Sequence, residues 1–376
     1  MKPLKVDFLI RSLGQGGAER QLMILASGLA GRGHQVRILT FYSGGHYETE
    51  ARARGLTIIN LHKKGRWDLI PFLLRLALAW QDYQPDLIHS YMSEANLVST
   101  LLKPWHRRPL VWGLRASQLD LSQYDWLARA TDRLEGWGSS WADLIIANSE
   151  AGRAHALARG FPASRLCVAD NGFECAQWIR DPEAGRAFRS AHGLPLDPPI
   201  LGLVGRVDPA KGHAVFLQAA ARLTRTHPQV HYLLVGEDPW SQRDRMKTLG
   251  ASLGIGSKVH WLPGQRDMVA VYSALDGLVS ASLSEGFPNV LAEAMACGLR
   301  PVATAVGDSA RVVGPCGWVV PPGDAEALAA GMGAWLEACE SRRAWPGPDP
   351  RAHIEGAFGV DRLVIRTEAR LQGVQP

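Results

Sequence analysis

The sequence predicts an α/β protein built from two doubly wound, Rossmann-like domains. Three observations lead there. Short apolar runs alternate with helix-length amphipathic stretches along most of the 376 residues, the pattern of parallel sheets covered on both faces. The alternation stops at a polar, proline-rich stretch and then restarts. The chain length also suits two domains.

Residues 4–10 form the first expected strand and run into a glycine-rich loop, SLGQGG. The helix that follows sets Leu22, Leu25, Ala26 and Leu29 on one face. Segments 36–42, 56–61, 87–90, 110–112 and 144–148 continue the strand series. Residues 181–199, ending in LPLDPP, read as a linker. Segments 200–205, 232–236, 259–262, 277–281 and 300–303 supply the second set of strands. Residues 344–351 make another proline-rich break, and 360–371 a final helix expected to return to the first domain. The expected division is therefore a first domain at 1–180, a second at 196–345, and a crossover segment at 346–376. Facing each other, the two sheets would enclose a central cleft lined by their carboxyl ends, where open α/β folds bind ligands.

Composition excludes several classes. Apolar residues at 46% and charged residues at 20% are ordinary for a water-exposed globular protein. The longest apolar run, LIPFLLRLALAW, carries Arg75 and Pro71 and is too short to span a bilayer. No secretory signal is expected from MKPLKVDFLI. The five cysteines are scattered and form no C-x-x-C pair, which fits a reducing, cytoplasmic setting. The net charge of +5 belongs to the first half, where residues 1–180 hold 22 Lys+Arg against 16 Asp+Glu. That balance suits an ordinary solvated surface or attraction to anionic lipid or a phosphorylated acceptor. No nucleic-acid partner is expected.

The most informative stretch is SEGFPNVLAEAMACG, residues 284–298. Pro288 suits the first turn of a helix, and Gly298 with Pro301 stops it. The free backbone N–H groups beside Gly286, Phe287 and Asn289 make a seat for an anion. Glu285 precedes that seat and Glu293 lies two turns beyond it, each better placed to accept from neutral hydroxyls. Anion plus polyol describes a nucleotide sugar. In VGRVDPAKGH, Arg206 and Lys211 sit at a strand end and in the following turn, two cations that suit a diphosphate leaving group. Gly16 and Gly17 open the first-domain helix and let a ligand approach the backbone closely.

These segments resemble family 4 retaining glycosyltransferases of the GT-B fold over nearly the whole chain. The resemblance rests on SLGQGGAER, IHSYMSEANLVS, VWGLRAS, IIANSEAGRAHALARGF, VADNGFE, LVGRVDPAKGH, LLVGEDP, HWLPGQRDM and SEGFPNVLAEAMACGLRPVATAVGDSA, in the family's order. It implies transfer of a hexose from a nucleotide sugar, UDP-linked, to a glycan or lipid-linked acceptor in surface polysaccharide or glycoconjugate assembly. Arg206 and Lys211 would hold the diphosphate, Glu293 the ribose and Glu285 the sugar hydroxyls. The backbone of Gly286, Phe287, Pro288, Asn289 and Val290 would surround sugar and phosphate, with Gly16 and Gly17 closing from the first domain. Retention would follow a front-face route with no protein nucleophile. No D-x-D occurs, so neither a metal nor another cofactor is expected. His89, at the end of a strand, is a candidate catalytic residue. Arg115 is a candidate for the acceptor or a phosphate, or a partner of Asp120. Where many members carry a second histidine, this chain has Tyr91. A GT-B epimerase and a non-catalytic nucleotide-sugar-binding protein are the alternatives. Finally, Lys63, Lys64, Arg66 and Trp67, and Lys103, Trp105, Arg107 and Arg108, form two basic–aromatic clusters suited to an anionic membrane surface.

Overall fold

The computed structural model describes residues 2–65, 67–115, 126–341 and 347–374. Arg66 and Asp120, singled out above, lie outside them, as do Ala116 and Ser117 of the VWGLRAS motif. The chain divides into two compact units, Met1–Gly172 with Val360–Pro376, and Phe173–Gly359.

The first unit is a parallel sheet of seven strands. They are β1 (Lys5–Ile10), β2 (Gln35–Thr40), β3 (Thr57–Asn60), β4 (Leu87–Tyr91), β5 (Leu110–Leu114), β6 (Leu144–Ala147) and β7 (Leu166–Val168), ordered 3-2-1-4-5-6-7. Its helices are α1 (Gly17–Gly31), α2 (Glu48–Ala53), α3 (Leu69–Tyr83), α4 (Met92–Leu101), α5 (Lys103–His106), α6 (Trp126–Gly138) and α7 (Glu150–Ala158). Successive residues of β1 serve opposite faces, as a strand's period of two requires. Val6, Phe8 and Ile10 pack with α1 and α2, while Leu9 packs with Phe72, Leu76 and Trp80 of α3.

The second unit has six parallel strands: β8 (Ile200–Val204), β9 (His231–Val235), β10 (Val259–Leu262), β11 (Gly277–Ser280), β12 (Pro301–Thr304) and β13 (Trp318–Val320), ordered 10-9-8-11-12-13. Its helices are α8 (Pro182–Ala191), α9 (His213–Thr226), α10 (Arg243–Ser252), α11 (Met268–Ala274), α12 (Asn289–Ala296), α13 (Ser309–Val313), α14 (Ala325–Glu340) and α15 (Pro350–Phe358). One face of the sheet packs on α11, α12 and α15, the other on α9 and α14.

The first half of the expected linker is a helix. Asp181 caps α8 by accepting from Ala184 N at 3.0 Å, and Pro182 stands in the first turn, where no N–H is missed. Gly185 lets α8 lie against the backbone of Ser273, and Arg189 donates to Ala274 O and Asp276 Oδ2, both at 2.8 Å. The segment after the second proline-rich break divides as well. Helix α15 packs on α12, whereas α16 (Val360–Gln372) packs on α1 of the first unit, with Val364 filling the space a side chain at Gly28 would need. Glu368 anchors α16, accepting from Arg32 Nε at 2.7 Å and pairing with His34 Nε2 at 2.8 Å. Leu4 N donates to His34 Nδ1 at 3.0 Å, so Nε2 carries the proton toward Glu368.

Candidate active site

Each sheet has one point where the strand order reverses, between β1 and β4 and between β8 and β11. Open α/β sheets bind ligands at the carboxyl ends of strands flanking such a point. In the second unit a pocket of about 170 Å³ lies there, walled by the ends of β8 and β11, by Lys211, by Ser282 and Glu285, and by Phe287–Leu291 at the start of α12.

Local packing builds this pocket. Gly212, at φ +65, has left-handed backbone, and a Cβ there would overlap Ala281 O. The turn carrying Lys211 therefore presses against the end of β11, an approach held by Leu283 N donating to Ala210 O at 2.7 Å. Lys211 Nζ pairs with Glu285 Oε1 at 2.5 Å, and Ser282 Oγ donates to the same oxygen at 2.7 Å. Both charged side chains are mostly shielded, at 22% and 13% exposure. Gly307, at φ +53, lets the next loop close over Glu285 O, and Asp308 N donates to Gly286 O at 3.0 Å. Phe287 packs between Phe173 and Phe358, with ring centroids 5.9 and 5.4 Å away. Helix α12 begins at Asn289 with Pro288 as its N-cap, one position before the turn expected for that proline. Its first N–H groups point at the pocket end, where an anion is favoured.

The remaining residues stand apart from this cluster. Glu293 is buried on α12, outside the pocket lining, and accepts from Tyr272 OH at 2.8 Å. Arg206 is 63% exposed and does not line the pocket; it lies 5.5 Å from the Trp240 ring and 3.5 Å from Asp208 Oδ2. His213 opens α9 beside Lys211 and stacks on Trp261, with centroids 6.1 Å apart; burial drives its pKa down to about 4.

Gly16, Gly17, His89 and Arg115 belong to the first unit. Gly16 is the N-cap of α1. The Glu19 carboxylate folds back into the space a side chain at Gly16 would need; burial raises its pKa, opposed by its own backbone N–H. His89 was expected at a strand end. It lies instead in the middle of β4, paired in register with Phe8, fully buried between Phe8 and Tyr91. Neither ring nitrogen has a hydrogen-bond partner among the described residues. Burial, and then the Arg115 charge, hold its pKa well below 6.5, so the ring is neutral. Arg115 donates to Tyr91 OH at 2.5 Å and to Asn171 Oδ1 at 3.2 Å, with its guanidinium over the Tyr91 ring. Met92, the next residue after β4, has φ +72, strain of the kind that gathers at functional sites.

Ser282, Tyr272, Trp240 and Phe358 escape sequence reasoning. Only Ser282, three residues before Glu285, carries a local signal; the others arrive through tertiary packing.

Comparison with known proteins follows the same division. A family model described as "Glycosyl transferases group 1" matches residues 186–346, and one described as "Glycosyl transferase 4-like domain" matches 16–172. A D-inositol 3-phosphate glycosyltransferase of Corynebacterium urealyticum is 30% identical over 277 residues, covering 68% of this chain and 64% of that protein. One of Mycobacterium leprae is 37% identical over 173 residues, 44% of this chain but only 39% of its own length. Among solved structures, Anabaena HepE in complex with UDP and glucose superposes with a TM-score of 0.84 at 24% identity, over 98% of this chain and all of that one. Sucrose-phosphate synthase from Thermosynechococcus elongatus gives 0.81 at 23%, over 98% and 99%. These likenesses show the GT-B fold.

Proposed function

The chain belongs to the group 1 glycosyl transferases, and we propose that it transfers a hexose from a UDP-sugar to a hydroxyl of a glycan or lipid-linked acceptor, with retention and without a metal. One observation carries this most directly. The ammonium of Lys211 and the carboxylate of Glu285 meet at 2.5 Å in a pocket that ends on the first turn of α12. A cation and free N–H groups suit a diphosphate, and a carboxylate beside them suits sugar hydroxyls. The Anabaena structure with UDP and glucose supports the type of donor.

In this mechanism Lys211 releases part of its bond to Glu285 and takes the β-phosphate, whose charge grows as the glycosidic bond breaks. Glu285, steadied by Ser282, accepts from the hydroxyls of the transferred sugar. Arg206 needs only to swing from Trp240 to add a second cation in place of a metal. Glu293, held by Tyr272, meets the ribose, and the 286–290 backbone surrounds sugar and phosphate. The freed diphosphate oxygen takes the acceptor proton, so no protein nucleophile is required. Within the first unit Arg115, held over the Tyr91 ring, serves the acceptor. The names of the curated relatives make inositol 3-phosphate one acceptor probe, with Arg115 as its phosphate partner. Glu285→Ala should abolish transfer while the fold survives. Unchanged turnover with that variant, or release of an altered free sugar without acceptor, would overturn the assignment.

A further inference from the structure

Helix α3 is apolar on two faces. Phe72, Leu76 and Trp80 are buried in the first-unit core. On the opposite side Ile70, Leu74 and Leu78 are 72%, 56% and 62% exposed, and Trp67 just before the helix is 91% exposed. The spacing i, i+4, i+8 makes one straight stripe about 12 Å long. A helix apolar all round is normally covered by something.

Neighbouring elements carry exposed tryptophans as well. His106 of α5 packs edge-on against Trp80 of α3, with centroids 5.0 Å apart. Lys103 of α5 donates to Trp141 O at 2.5 Å. Trp105 and Trp141 are both exposed. Its rim is cationic: Lys64 and Arg107 are exposed, and Lys63 and Arg108 partly so. The acidic side chains nearby are Asp68, paired with Arg75 at 2.5 Å, Asp143, paired with Lys103 at 2.6 Å, and the exposed Asp82 of α3, against Lys63, Lys64, Arg107 and Arg108. The net field of the patch is positive.

We propose that this face is a docking surface for an anionic lipid bilayer, with α3 lying in the plane of the headgroups. The aliphatic stripe and tryptophans enter the headgroup–acyl boundary, and the cations meet lipid phosphates. The charge decides for lipid over a second copy of the chain, because two such faces would bring their cations together. No described helix is long and apolar enough to cross a membrane, so contact is confined to the interface. The surface extends the reading of a lipid-linked acceptor and rests on that reading only for its biological purpose, because vesicle binding and sugar transfer are measured separately.

The test is flotation of the full chain with vesicles of phosphatidylcholine alone, or of phosphatidylcholine and phosphatidylglycerol at three to one, at low and high salt. The protein should float with the anionic vesicles at low salt and leave them as salt rises. Leu74→Ser/Leu78→Ser and Lys64→Glu/Arg107→Glu should each reduce binding by roughly tenfold or more, with UDP binding and melting temperature unchanged. Equal binding to both vesicle types, no binding to either, or variants that float like the parent overturn the proposal. So does a concentration-dependent dimer, lost in the leucine variant, in the absence of vesicle binding. Normal vesicle binding by a protein that transfers no sugar would leave the docking surface standing and remove the proposed activity.

Discussion

Replacing Lys211 with alanine separates the diphosphate role from every other role in the second unit. In the empty protein the change leaves Glu285 with Ser282 as its polar partner at 2.7 Å. The lost pair is shielded but not fully buried, so the cost falls below the 3–5 kcal/mol typical of a broken buried pair, at about 2 kcal/mol. For a domain of this size that lowers the melting temperature by about 4–8 °C. The effect on ligand binding is more specific. A charge-assisted hydrogen bond contributes about 1.5–3 kcal/mol, so UDP should bind roughly 10–100-fold more weakly. Uridine, which has no phosphate, should bind the variant and the parent alike. Transfer should fall by about 10²–10³, as when one preorganised oxyanion donor is removed. Titration calorimetry with UDP and uridine on both proteins reads this out. If UDP binding is unchanged, or if uridine weakens as much as UDP, Lys211 does not hold the diphosphate.

Three further outcomes follow from other contacts. Glu293→Ala should weaken uridine and UDP to the same extent, with Tyr272→Phe milder because the carboxylate remains; a calorimetric loss confined to UDP would remove the ribose role. Glu368→Ala leaves His34 and Arg32 facing a void, and denaturant unfolding should show about 3–5 kcal/mol lost from the first unit; a loss under about 1 kcal/mol would mean that α16 is held by its apolar face alone. His213 has a folded pKa of about 4 against 6.5 unfolded. The unfolded chain therefore binds the extra proton between those values, and stability falls as pH drops from 6.5 toward 4, by up to about 3 kcal/mol. His213→Phe, which keeps a ring on Trp261, should flatten that part of the acid limb in a melting-temperature series; an unchanged slope refutes it.

The strands that frame both switch points were legible because each is a continuous apolar run closed by a turn, as a strand buried on both faces must be. The two missed strands, β7 and β13, are three-residue edge strands. Runs that short carry no periodicity. Helix α8 was legible in principle: Asp181 followed by Pro182 is a helix start signal, but the proline-rich LPLDPP downstream outweighed it. At the site, the Ser284–Gly298 segment and the Lys211 turn could be placed together because both follow strands next to one switch point. Spacing could not show that Arg206 leans on Trp240, since a rotamer depends on neighbours distant in sequence. Nor could it place His89 in the middle of its strand, because the strand LIHSY runs on to Tyr91 and ends only at the strained Met92. The basic–aromatic clusters were visible as composition, whereas the exposed stripe of α3 required knowing which of its two apolar faces the sheet covers.

The most direct measurement is acceptor-dependent release of UDP from a panel of UDP-sugars, made on the parent and on Glu285→Ala. At least one sugar should yield UDP and a glycosylated acceptor of retained anomeric configuration with the parent, and none with the variant. Equal turnover by both proteins, or an inverted product, would contradict the account.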